Sequence, residues 1–231
     1  MFMSIYDDLA PIYDELFPQN PAATAFLLGL TGQKSSAQWL PRRILDIGCA
    51  TASQLLDLAA AGWEAFGLEP SAAMRERAKA KAERAGLPLE ISEGSMLDAP
   101  SRFPKGYFGL LLCIGNTLPY LGNEEELREF LGGAASLLAP GGSIVLQTLN
   151  YERTLSLLRS EGFAFPALRA GGSVFRRHYE ETEGGRLSFI TEVFQDGKET
   201  AREASALTPF RPEALVEALR ESGFEEPRAR S

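Results

Sequence analysis

Ile44-Leu45-Asp46-Ile47-Gly48-Cys49-Ala50-Thr51-Ala52 begins as an apolar run, meets one acid, and breaks into very small residues. A helix-forming segment, 53–61, follows at once. Strand, tight turn and helix make the first half of a βαβ unit with room for a ligand above the turn. Gly48, Ala50 and Ala52 leave the main chain bare, so a ligand can approach it and the N–H groups that open the helix.

Working outward, the pattern repeats. Segments 63–68, 87–91, 107–113 and 143–149 read as further strands, with 107–113 apolar enough to be buried on both faces. Between them lie a helix over 72–85, with Ser71 as N-cap and Gly86 as stop, and one opened by the capping-box pair Asn123 and Glu126 and running to Leu138. Pro140-Gly141-Gly142 supplies the turn into the fifth strand. The alternation predicts an α/β fold, a doubly wound, mostly parallel sheet of Rossmann-like type.

After Asn150 the rhythm changes. Residues 151–160 read as helix, and 173–181, 187–194 and 199–207 as three strands, with Gly184-Gly185 and Asp196-Gly197 where hairpin turns belong. This small antiparallel insert must pack on the main sheet or on a second copy of the chain, which leaves a homodimer open. Pro212 starts a helix over 213–222 that ends at Gly223, and 224–230 reads as the start of a last strand. Before the first strand, Ile5, Leu9, Ile12, Tyr13 and Leu16 share a helical face broken by Pro11; 22–30 is an apolar helix and 32–38 a polar linker. The expected organisation is an N-terminal helical lid (1–40), an α/β ligand-binding core (41–150), a helix plus antiparallel insert (151–208) and a C-terminal helix with the start of a strand (209–231).

Composition narrows the function. Twenty-three basic against 31 acidic residues give a net charge of -8, and no basic run is present, so a nucleic-acid partner is disfavoured. No uncharged apolar run reaches the ~20 residues that cross a bilayer, so no membrane role is expected. The N-terminus lacks a basic, apolar signal-peptide pattern. Two cysteines fit a reducing compartment, which points to the cytoplasm, and together with one histidine they give no basis for a metal site.

Which ligand sits above the turn follows from its chemistry. A dinucleotide site wants Gly-x-Gly-x-x-Gly for its pyrophosphate; that spacing is absent, which argues against a nicotinamide oxidoreductase. Instead Asp46 lies at the strand end, where a carboxylate repels a pyrophosphate but suits an ammonium group. Glu69, ending the second strand, can take two vicinal ribose hydroxyls. An adenosyl ligand without phosphates and with a cationic tail is S-adenosylmethionine.

From Ile44 to Asn150 the chain resembles the class I S-adenosylmethionine-dependent methyltransferases. ILDIGCATA is similar to that family's first motif and GLEPSAAM to the second. EGSMLDAP, CIGNTLPYL and LLAPGGSIVLQTLN resemble the segments around strands three to five, in order and spacing. YDDLAPIYDEL resembles the helix that such enzymes fold over their cofactor, and CIGNTLPYL is more loosely similar to small-molecule N-methyltransferases of the glycine/sarcosine type. The resemblance implies that Asp46, Gly48 and the backbone at Cys49 and Ala50 face the methionine moiety and Glu69 the ribose. Pro70 and Met74 would border the adenine, Ser95 and Met96 contact its edge and face, and Cys113, Ile114 and Gly115 line the floor under the sulfonium. It also has departures. The family usually has glycine where Ala50 and Ala52 stand, and negative φ at Ala50 is expected, so that binding is weakened rather than lost; the family often has an acid where Ser95 stands. The chain ends about where the family's last strand would begin.

The expected activity is methyl transfer to a nitrogen or oxygen of a small molecule by in-line displacement, with Tyr13, Asn116 and Tyr120 setting the acceptor's geometry. Arg177 could bind an acceptor carboxylate, with Arg176 on the opposite face. The competing reading is a non-catalytic module that keeps the cofactor pocket and uses the insert to bind a protein partner; an open acceptor cavity distinguishes the enzyme from it. Cys49 and Cys113 read as packing thiols and His178 as a surface residue.

Overall fold

In the computed structural model, which describes residues 5–32, 40–161 and 165–229, a five-stranded parallel sheet of order β3-β2-β1-β4-β5 carries the site. The chain enters through α1 (Ile5–Leu9), a 3-10 turn at Ala10–Ile12 and α2 (Tyr13–Leu16), so Pro11 does interrupt the helix. α3 (Pro21–Gly32) follows. Most of the predicted linker at 32–38 lies outside the described residues. β1 (Arg43–Ile47), α4 (Ser53–Ala60), β2 (Glu64–Leu68), α5 (Ala72–Ala85), β3 (Leu89–Ser92), α6 (Ala99–Arg102), β4 (Phe108–Cys113), α7 (Glu124–Leu137) and β5 (Leu138–Leu146) then alternate as expected, with the short α6 an unforeseen addition.

The helix ends follow from local chemistry. Ser71 accepts from Met74 N–H and caps α5, which Gly86 closes at φ +64°. Asn123 accepts from Glu126 N–H, and the Glu126 carboxylate reaches back to Gly122 N–H, one residue before the position of a standard capping box. β4 is buried along its whole length. One face of the sheet packs on α7 and α9 through Leu127, Phe130, Leu131 and Ala218, the other on α4 and α5 through Leu55, Leu58 and Ala78.

Two boundaries differ from expectation. Pro140-Gly141-Gly142 is absorbed into β5, where the pairing of Phe108 with Leu138 shifts to Leu110 with Ser143 across an irregularity. β5 ends at Leu146, and Gln147 instead turns its amide oxygen to Gly115 N–H.

α8 (Tyr151–Glu161) leads to a second, antiparallel sheet of four strands rather than three: β6 (Leu168–Ala170), β7 (Ser173–Glu181), β8 (Leu187–Gln195) and β9 (Lys198–Leu207). β6 is too short to show a period in sequence. α9 (Pro212–Glu221) starts at its proline, but 224–229 form no strand, which corrects the expected last strand over its described part. The insert has no separate interior: Phe175 and Val193 pack with Leu9 and Met74, while Tyr179 and Leu187 pack with Tyr151 of α8. Among the described residues no helix is long and apolar enough to cross a membrane.

Candidate active site

The turn after β1 lies where the strand order reverses, with β2 on one side of β1 and β4 on the other, so a crevice opens at the carboxyl ends of the strands. Gly48 sits at φ +77°, and a Cβ there would come within 2.6 Å of the Thr117 side chain, so glycine is needed on two counts. The expectation of negative φ at Ala50 is overturned: it lies at φ +47°, and Ala52 lies at φ +59°. The turn keeps the left-handed path that glycines would follow, and the two methyl groups bear that strain.

Glu69 fastens the turn. One carboxylate oxygen accepts from Ala50 N–H and the other from Ser71 N–H, each at 2.9 Å. Arg75 holds the peptide beyond it through the carbonyls of Glu69 and Pro70. Burial raises the Glu69 carboxyl, against the pull of its two N–H donors and Arg75. Asp46 is 2% exposed and its Oδ1 has no hydrogen-bond partner. Burial, with the charge of Glu69, pushes its carboxyl up to about 7.

The lid lies over this edge. Ile5, Leu9, Ala10 and Leu16 pack on Met74, which is 1% exposed. Asp7 accepts from Ser71 at 2.6 Å. Asp14 accepts from Thr51 at 2.5 Å, Ser53 at 3.0 Å and Lys81 at 2.9 Å, with Arg77 3.7 Å away. Burial would raise the Asp14 carboxyl, but the hydroxyls and the ammonium together bring it below its usual value. No motif announced this cluster; its signal was an acid on the polar side of a short amphipathic segment.

Beyond the lid's inner face is a chamber of about 340 Å³. Tyr13, Asn116 and Tyr120 line it together, with Arg177 on a further wall and Gly115 at its base. Asn116, at φ +66°, is a hub: its Oδ1 accepts from the Thr148 hydroxyl and from Leu149 N–H, each at 3.0 Å, and its Nδ2 donates to the Tyr151 hydroxyl at 2.8 Å. The Tyr120 hydroxyl pairs with that of Tyr6 at 2.9 Å. Tyr13, its phenol pushed up chiefly by burial, is within electrostatic reach of Glu69 and Asp46, so lid, groove and chamber adjoin.

The remaining sequence candidates do not line the chamber. Asp46, Gly48, Cys49, Ala50 and Glu69 belong to the turn and its supports, and Pro70 and Met74 open the next helix. Ser95 is exposed and its hydroxyl donates to Asp98 at 2.7 Å, leaving its lone pairs open. Met96 is buried, and Cys113, fully buried, turns its thiol towards the Met96 sulfur at 4.0 Å while its carbonyl accepts from Gln147 N–H, so the expectation that Cys113 forms a floor fails for its side chain. Ile114 packs against the opposite core. Cys49 is pinned against Gly67, where a Cβ would stand 2.6 Å from its sulfur. The two thiols pack in different cores, both raised by burial, as packing cysteines should be. His178 faces away from the chamber, 3.6 Å from Glu180. Sequence reasoning missed Tyr6, Gln147, Tyr179 and the phenylalanines of the chamber, because no single element contributes them. A larger depression of about 590 Å³ along α9 is a shallow trough between Glu213, Val216 and Arg220, and gathers no groups from the sheet edge.

Residues 44–142 match a family described as a methyltransferase domain. A glycine N-methyltransferase of Rattus norvegicus is 30% identical over 142 residues, which are 57% of this chain and 47% of that protein. A glycine/sarcosine N-methyltransferase of Halorhodospira halochloris is 27% identical over 155 residues, 67% of this chain and 56% of that protein. The chain thus spans about half the length of the curated relatives it matches. Among solved structures, an S-adenosylmethionine-dependent methyltransferase from Clostridium acetobutylicum superimposes with a TM-score of 0.74 at 17% identity, covering 95% of this chain and 87% of that one. An amino pentose methyltransferase from Micromonospora echinaspora, solved with S-adenosylmethionine bound, gives 0.65 at 22% identity over 96% of this chain and 89% of its own.

Proposed function

We propose, from the premise that the chain carries a class I S-adenosylmethionine-dependent methyltransferase domain, that it transfers a methyl group to a nitrogen or oxygen of a small molecule held in the chamber. The observation that carries this is Asp46. A buried carboxylate with an unpartnered oxygen beside a second acid is costly unless a cation is meant to meet it. The ammonium and sulfonium of S-adenosylmethionine answer that need.

The residues present fit the cofactor. Asp46 would take the ammonium group. Glu69 keeps lone pairs beyond the two already engaged and can accept from ribose hydroxyls. Met74 and Pro70 would border the adenine, and the Ser95 oxygen can accept at its edge. When bound, the cofactor supplies a methyl group on a sulfur already activated as a leaving group. What remains for the protein is position and dryness. Asn116, held from three sides, fixes the loop after β4, and Tyr13 and Tyr120 set the acceptor's approach in line with the methyl carbon. Orientation of this kind can lower a barrier by ~7–11 kcal/mol in the best cases. The lid excludes water.

The acceptors named for relatives, glycine and an amino pentose, support a small-molecule acceptor. Two free, buried thiols fit a reducing compartment such as the cytoplasm. The open chamber favours an enzyme over a non-catalytic module. The test is thermal: millimolar S-adenosylmethionine or S-adenosylhomocysteine should raise the unfolding temperature, and release of S-adenosylhomocysteine should depend on an added amine or hydroxy compound. No thermal shift with folded protein would sink the proposal.

A further inference from the structure

The chamber's chemistry is lopsided. Phe17, Phe165, Phe175, Tyr179 and Phe189 give it aromatic walls, and among the described residues no acid lines it and Arg177 is its single cation. That guanidinium lies 5.3 Å from the Phe17 ring centroid, 5.0 Å from Phe165 and 5.9 Å from Phe175. Its Nε is buried without a hydrogen-bond partner, and among the described residues it makes no ion pair. Neighbouring Arg176 faces the other way and stacks on Phe194, so the strand's alternation has placed one arginine inside and one outside. A planar cation with a spare donor, desolvated by three rings, is matched to a planar anion that can bond it side by side.

We propose that the methyl acceptor is a compact carboxylic acid with an aromatic ring or an apolar body of similar bulk, its carboxylate on Arg177 and its nucleophile turned towards Asn116 and Tyr120. That it is an acceptor rests on the methyl-transfer reading above; that it binds does not. Three considerations select this class. One guanidinium neutralises one carboxylate, whereas a phosphate monoester, at a charge of about −1.5 to −2, would leave excess negative charge between rings. The volume stands at the small end of ligand pockets, ~300–1,000 Å³, which suits one ring and excludes a nucleotide-linked sugar. An acceptor as small as glycine would leave most of the aromatic wall untouched, and burying that wall is where the affinity lies.

The experiment is calorimetric titration of the full chain, alone and saturated with S-adenosylhomocysteine, against phenylacetate, phenylacetamide, glycine and phenyl phosphate. Phenylacetate should bind at least tenfold more tightly than each of the other three. Arg177→Met, which keeps the packing between the rings, should erase the preference for phenylacetate over phenylacetamide, and Arg177→Lys should retain part of it. If Arg177→Met does not fold, the comparison of ligands on the unaltered chain decides. Equal binding of acid and amide, tighter binding of glycine or phenyl phosphate, or no binding of phenylacetate in either state overturns the proposal. Loss of S-adenosylhomocysteine binding alone strikes the cofactor reading and leaves this one standing.

Discussion

The groove beside Asp46 and Glu69 is built within one βαβ unit and faced by the lid, whereas the chamber draws on the lid, the loops after β4 and β5, and the antiparallel insert. The groove presents backbone N–H groups and two buried acids. The chamber presents rings and one arginine. Their charges are opposite, and among the described residues each is unbalanced: Asp46 makes no ion pair with a cation and Arg177 none with an acid. A region that must accept the same charged nucleoside can be written once, in consecutive residues. A region that must accept a particular small molecule is assembled from whatever segments reach it.

The sharpest way to break this contrast is Asp46→Asn. If the buried acid exists for a cationic ligand, the substitution should weaken S-adenosylmethionine binding by about 100-fold, ~2.7 kcal/mol. The unliganded protein should become more stable, since an uncompensated buried charge is replaced by a neutral isostere. Calorimetric titration and thermal unfolding of the same preparations check both halves. A loss of stability together with unchanged binding would assign Asp46 a purely structural part.

The same acid gives the groove a pH dependence that the chamber lacks. Its carboxyl, raised to about 7 by burial and by Glu69, holds a proton in the folded protein that it would lose near its ordinary value when unfolded. The folded state therefore binds more protons across the interval from about 4 to 7. Asp46's contribution to stability falls as pH rises through that interval and stays low above it. Affinity for S-adenosylmethionine should run the other way, rising up to tenfold per pH unit from 5.5 to 7, and so should that for S-adenosylhomocysteine, which keeps the ammonium group. Binding isotherms at several pH values check both, and Asp46→Asn should flatten both.

How much could be read beforehand follows the same divide. The five parallel strands, the Ser71 cap and the stop at Gly86 came from local patterns, because each is decided by residues within a few positions of one another. The chamber residues Tyr13, Asn116 and Tyr120 were legible only through position relative to the motifs, and the structure does bring them together. What escaped was set by tertiary packing. Whether Cys113 would turn to the ligand or to Met96 depends on strand phase at one residue, and the phase of a fully buried strand leaves no alternation to read. The sign of φ at Ala50 could not be inferred from a residue that normally avoids the left-handed region.

The lid joins both regions, so weakening its latch should affect both modestly. Asp14→Ala removes the acceptor shared by Thr51, Ser53 and Lys81, leaving the ammonium without its carboxylate. A loss of ~1 kcal/mol of stability is expected for this half-buried cluster. S-adenosylhomocysteine should dissociate about five- to tenfold faster in stopped-flow measurements, with no change in the Asp46 pH effect. An unchanged dissociation rate would mean that the lid does not retain the cofactor.

The smallest effect tests the turn itself, and it should differ between two alanines in nearly the same conformation. A left-handed L-residue costs roughly 1–2 kcal/mol, which glycine relieves. Glycine also gives the unfolded chain more freedom, a loss of ~0.4–1 kcal/mol. For Ala50, at φ +47° and only partly buried, the balance favours glycine by about 0.5 kcal/mol. Ala52, at φ +59°, is 1% exposed, and its methyl packs in the core beside Leu55. Removing a buried methyl costs ~0.8 kcal/mol more and brings the balance near zero. Ala50→Gly should therefore raise the unfolding temperature by about 1–2 °C, while Ala52→Gly leaves it unchanged. Equal shifts in the two variants would mean that strain alone governs the turn. A fall in both would mean that neither alanine is held in the left-handed region, and that the groove's backbone follows a different path from the one described.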